Sequence, residues 1–132
     1  MNDEQIEEQI QAKGLNAPRV TPDDIEAEIV SEHYFTAAQG FLKANEEKAL
    51  HNGGIIDSDT HQPPASLGLL TFCVLELRNG FTVTGESACA SPANFDAEIG
   101  RKIAHANAVE KIWPLLGFRL RDQLCASVAT AS

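Results

Sequence analysis

The spacing of apolar positions divides the chain into helical, strand-like and irregular stretches. Residues 3–13 place Ile6 and Ile10 four apart in a polar, acidic run that Gly14 ends, which predicts a short helix with a thin apolar stripe. Asn16 to Val20, with Pro18, reads as a linker. Thr21-Pro22-Asp23-Asp24 then supplies an N-cap, a proline at the first helical position and acids near the positive end of the dipole. Ile25, Ile29, Val30, Tyr34, Phe35, Ala38, Phe41 and Leu42 continue at spacings that predict helix to about Leu50, with a break near His33. Residues 51–66 concentrate Gly, Asp, Ser and Pro, the composition of a mobile surface loop.

From Leu69 to Cys89 the period changes to that of strands around Asn79-Gly80, a strong hairpin signal. A two-residue turn there sets Arg78 opposite Phe81. One face then carries Leu70, Phe72 and Val74 with Phe81, Val83 and Cys89, and is expected to be the core face. The other carries Thr71, Cys73, Leu75 and Leu77 with Thr82, Thr84 and Glu86. Ser91-Pro92 reads as the cap of a long helix whose stripe runs through Phe95, Ile99, Ile103, Ala106, Val109 or Glu110, Trp113 and Leu116. Pro114 is expected to kink or restart it, and Leu116, Leu120 and Leu124 carry a further amphipathic turn. The fold class is therefore α+β: an antiparallel hairpin or small sheet packed on a long C-terminal helix, with N-terminal helices. The organisation reads as an acidic helix and linker over 1–20, a single domain over 21–126 and a frayed tail over 127–132.

Charge sharpens this picture. Residues 1–50 hold 11 acids and 4 bases, whereas Ile99 to Arg121 holds five bases, Arg101, Lys102, Lys111, Arg119 and Arg121, against Glu110 alone. The net charge of −9 excludes a broadly basic nucleic-acid sleeve and an anionic-membrane binder, and no apolar run reaches the length of a spanning helix. The N-terminus lacks the basic-then-apolar order of a signal peptide, so the chain reads as cytoplasmic. Cys73, Cys89 and Cys125 have no zinc-ligand spacing and read as reduced packing residues.

Catalytic patterns are absent, and the expectation is a non-enzyme without cofactor or metal. Ser87 and Ser91 lack a nucleophile elbow, Cys89 with His105 has no orienting carboxylate by motif, and His51, His61, Asp57 and Asp59 match no compact metal motif. Anion binding fits better. The segment from Ser87 to Asn94 feeds a helix start whose free amides suit a phosphate, with Asn94 placed to read a base edge or ribose. The candidate ligand-binding set is Ser91, Asn94, Arg101, Arg119 and Arg121. Phe81, Trp113 and Phe118 are the aromatics available for stacking, each also readable as core.

The blocks NGFTVTGESAC (79–89), SPANFDAEIG (91–100) and NAVEKIWPLLG (107–117) are similar to the small tailed-phage accessory proteins of the gene product forty-nine, or gene sixty-six, family. The likeness covers Leu67 to about Arg121, and APRVTPDDIEAEIVSEHYFTAA resembles the N-terminal part of longer members. A hairpin followed by Asn-Phe-Asp, a helix and a terminal basic helix also resembles the phage sponges that sequester cyclic ADP-ribose signals of the Thoeris defence. Those resemblances imply a phage protein of the host cytoplasm, a homo-oligomer that binds a phosphorylated host signal without catalysis, with Asn94 and Arg119 or Arg121 in the site. The alternative is a protein-binding modulator of a host factor with no small-molecule ligand.

Overall fold

The computed structural model describes residues 2–51, 53 and 62–131. Helix α1 (Asp3–Ala12) and helix α2 (Pro22–Glu28) each open on a capping box, formed by Asn2 with Gln5 and by Thr21 with Asp24. Strand β1 (Ile29–Thr36) follows α2 directly and leads into helix α3 (Ala37–His51). A 3-10 turn at Ala65–Leu69 precedes strands β2 (Leu70–Leu77) and β3 (Thr82–Ala88), and helix α4 (Ala97–Ala131) completes the chain. The strands form an antiparallel sheet in the order β1-β2-β3, and α4 packs on one face of it. This is the expected α+β architecture. No described helix is long and apolar enough to cross a membrane. Within the predicted 51–66 loop, residues 52 and 54–61 lie outside the described residues.

Three local expectations are corrected. The single helix read from Thr21 to Leu50 is helix, strand and helix. Ile-Val-Ser-Glu-His-Tyr-Phe-Thr is rich in β-branched and aromatic residues, and its backbone pairs with β2 from Ile29–Leu77 to Thr36–Thr71. α3 then restarts with its own capping box, in which the Thr36 hydroxyl accepts from the Gln39 amide and the Gln39 side chain accepts from the Thr36 amide.

The hairpin register is shifted by one residue from that of a two-residue turn. Leu77 N donates to Phe81 O at 2.8 Å, so Arg78, Asn79 and Gly80 form a three-residue loop, with Gly80 at φ 86° and the Asn79 side chain accepting from the Phe81 amide. A one-residue shift exchanges faces. Thr71, Cys73, Leu75 and Leu77 are the buried side of β2, joined by Val83 and Gly85 of β3, while Leu70, Phe72 and Val74 are half-buried and Phe81 is exposed.

The third correction concerns α4. Its buried stripe is Ala104, Ala108, Ile112 and Leu116, whereas Ile99 and Ile103 point outward and Trp113 is half-buried at the core margin. Small residues win because the helix lies almost on the sheet backbone. A Cβ added at Gly85 would fall on the carbonyl of Ala104 and the amide of Ala108, and one added at Gly100 would stand 3.1 Å from the Thr71 hydroxyl, a tight side-chain contact. α4 begins after Asp96, whose carboxylate accepts from the Ile99 amide at 3.0 Å, not at Ser91, where Pro92–Asn94 makes only a 3-10 turn. It runs unbroken through Pro114. Pro114 and Glu110 are both exposed, so water can take the hydrogen bond that the Glu110 carbonyl loses. All three cysteines are free thiols.

Candidate functional site

The α2–β1 junction places Glu28 inside the molecule. Its side chain is 2% exposed, between the hairpin turn and α4. Two guanidiniums close on one of its oxygens. Arg119 Nη2 donates to Oε2 at 2.9 Å, and Arg78 Nε and Nη2 donate to the same atom at 3.3 and 3.2 Å, while the Arg78 amide donates to the Glu28 carbonyl at 3.0 Å. Burial alone would raise the carboxyl pKa; Arg119 first and Arg78 second more than reverse this and hold it below the ordinary 4.5.

The arginines are only partly enclosed, 62% exposed for Arg78 and 42% for Arg119, so donors remain for a visitor. They open onto a cleft of about 300 Å³ that Arg19, Asp24, Leu116 and Gln123 also line. Arg19 is itself forked onto Glu7 of α1, with Nη2 on Oε1 at 2.6 Å, and this holds the Glu7 carboxyl below its ordinary value. A smaller hollow of about 180 Å³ adjoins at Glu28 and Arg119, lined by Leu77, Asn79, Phe81 and Leu115. Phe81, read as a core residue, is 55% exposed at this lip. Positive donors and an exposed ring therefore stand side by side.

A second polar cluster joins β1 to the start of α4. The Tyr34 hydroxyl donates to Glu32 at 3.0 Å, and His105 Nε2 lies 3.2 Å from the other Glu32 oxygen. Burial, then the Glu32 bond, pushes the Tyr34 hydroxyl above its ordinary 10.0, and burial likewise raises the Cys73 thiol. Glu32, Tyr34 and His105, with Arg101, Lys102 and Glu98, line a hollow of about 450 Å³.

The five residues read from the sequence do not share one place within a single copy. Arg119 belongs to the Glu28 cleft and Arg101 to the Glu32 cluster, eighteen residues or about 27 Å apart along α4. Ser91 and Asn94 sit on the link between β3 and α4, at the opposite end of the sheet from the hairpin turn; the Ser91 carbonyl accepts from Cys89 Sγ at 3.1 Å and Asn94 is exposed. Arg121 is exposed on α4 and lines neither hollow. Cys89 and His105 have separate partners, Ser91 and Glu32, and do not form a pair. The residues missed were Glu28, Arg78 and Arg19. Nothing local sets Glu28 apart from the other acids of α2, and only the pairing of β1 with β2 brings Arg78 to it.

Residues 20–124 match the model of the Phage protein (N4 Gp49/phage Sf6 gene 66) family. The chain belongs to this family. The match spans everything that builds the Glu28 cleft except Arg19 and α1, and covers the whole sheet. Neither curated proteins nor solved structures gave a match. The motif blocks of this phage protein now have structural duties. Asn79 and Gly80 make the turn, Gly85 admits α4, Asp96 caps it, and Ile112 and Leu116 fill the core.

Proposed function

We propose that this phage accessory protein is a non-catalytic binder that sequesters a small phosphorylated host immune signal, of the cyclic ADP-ribose type, in the host cytoplasm. The observation that carries the reading is the buried Glu28, which holds Arg78 and Arg119 side by side at the mouth of a cleft with donors to spare. A guanidinium pair fixed in advance suits a phosphate or pyrophosphate, since the ordering is done before the ligand arrives. Phe81 offers a ring for a base beside it. Nothing in this reading requires a cofactor or a metal. Calorimetric titration with ADP-ribose and its cyclic forms is the test: wild type binds, Arg78→Gln and Phe81→Ala each weaken binding at least tenfold, and an absence of heat with every nucleotide removes the proposal.

A second reading, modulation of a host protein without any small ligand, is favoured by the sheet face turned away from α4. There Phe35 and Phe72 stack with ring centroids 5.6 Å apart on a surface that stays partly open. A nucleotide screen that leaves the melting temperature unmoved, together with a host protein whose capture Phe35→Glu abolishes, would favour it.

A further inference from the structure

Helix α1 adds nothing to the core. It carries four acids, Asp3, Glu4, Glu7 and Glu8, with no base and no buried residue. Its apolar pair, Ile6 and Ile10, lines a hollow of about 370 Å³ together with Val20, Pro22 and Trp113 instead of closing on them. Among the described residues, side-chain bonds tie it down at two points: Trp113 Nε1 donates to Asp3 at 3.2 Å, and both Nη atoms of Arg19 fork onto Glu7. Each tie puts a carboxylate at a partly open surface, where water and other anions compete for the donor.

The second tie bears on the cleft. Arg19 lines it together with Arg78 and Arg119, whereas Glu7 does not. The charge around the cleft therefore depends on α1. With Glu7 in place, Arg19, Arg78 and Arg119 meet Glu7, Glu28 and Asp24, and the charges cancel. Glu28 is fixed by burial, and Asp24 by the capping box in which it accepts from the Thr21 amide at 2.9 Å, so Glu7 is the carboxylate of the three that can leave. Its departure gives the cleft one positive charge in excess and frees a guanidinium fork that suits phosphate as well as carboxylate. Taking the cleft as an anion site, on which this inference rests, we propose that Arg19 is its third ligand-binding cation and that α1 is a displaceable strap, whose Glu7 occupies Arg19 until a diphosphate takes its place. The coupling is reciprocal: what α1 withholds from the ligand, the ligand withdraws from α1.

Calorimetric titration of the full chain with inorganic pyrophosphate tests this. Glu7→Ala should bind about tenfold tighter than wild type, since it frees a charge-assisted fork, and Glu7→Ala/Arg19→Gln should lose that gain. Glu8→Ala removes an equal charge from an exposed side chain of the same helix that does not bond Arg19, and should stay within about twofold of wild type because solvent screens it. Hydrogen exchange read by mass spectrometry should show the α1 amides of wild type exchanging faster with pyrophosphate bound than without it. Wild-type affinity in Glu7→Ala, an equal gain in Glu8→Ala, a gain that survives the loss of Arg19, or unchanged exchange in α1 each overturns the strap and leaves the cleft as an anion site. No heat from pyrophosphate in any of these proteins removes the anion site itself, and the strap with it.

Discussion

Glu28 and Glu32 stand four residues apart, one ending α2 and the other inside β1, and both reach across to α4. Their surroundings set them apart. Glu28 is buried and takes Arg119 and Arg78 on one oxygen, whereas Glu32 is exposed and shares its oxygens between Tyr34 and His105. An ion pair at a wet surface contributes little because water and salt screen it, whereas a buried carboxylate stripped of its partners is costly. The same type of side chain, reaching α4 from both positions, is thus a keystone at one and a trim contact at the other.

Removing both cations from Glu28 tests that contrast most strongly. Arg78→Ala/Arg119→Ala should lose about 3–5 kcal/mol of stability at neutral pH by urea unfolding, since it strands a buried charge. A loss below 1 kcal/mol would show that water reaches Glu28 and that the contrast is false. Arg119→Ala alone should cost about 1–3 kcal/mol, because Arg78 keeps part of the compensation. Arg119 is therefore not the neutral surface charge its place in a basic stretch of sequence suggests. Ligand-binding tests need Arg78 and Phe81, changed one at a time.

The ion pair of Arg119 with Glu28 shows where the sequence stops being legible. The caps at Thr21, the Asn79-Gly80 turn and the existence of a long C-terminal helix were all readable, because each rests on neighbours within a few residues. The register was not. Asn-Gly suits both a two-residue turn and a three-residue loop with glycine at positive φ, and both faces of the hairpin carry apolar side chains, so the pattern could not break the tie. β1 was hidden because its pairing with β2 is a contact between distant segments, although Thr36-Ala37-Ala38-Gln39 had the form of a helix start. The inner stripe of α4 escaped because hydrophobicity ranks isoleucine above alanine, while close approach to Gly85 selects the reverse. Glu28 was legible only as a negative charge. Its worth comes from Arg78, fifty residues on, and Arg119 beyond that.

Acid gives a third probe. Arg119 and Arg78 hold the folded-state pKa of Glu28 below 4.5, so its contribution is fully present above that pH and is lost as pH falls through the lower folded value. Urea midpoints of wild type should fall more steeply below about pH 4.5 than those of Glu28→Gln, whose side chain has no proton to gain. Parallel curves for the two proteins would mean that Glu28 does not titrate against its arginines at all.

The smallest effect is expected at Glu32, and it matters because it is the control for all the others. Glu32→Gln keeps the shape of the side chain and an acceptor for Tyr34 and removes only the charge that faces His105, at a site where both partners are open to solvent. Less than about 1 kcal/mol should be lost, and added salt should shrink even that, since screening reaches exposed pairs first. If Glu32→Gln instead matched Arg119→Ala in cost and ignored salt, the β1–α4 junction would be as dry as the Glu28 cleft. Burial in the isolated chain would then be the wrong measure, because something outside the single copy would have to cover Glu32 and His105.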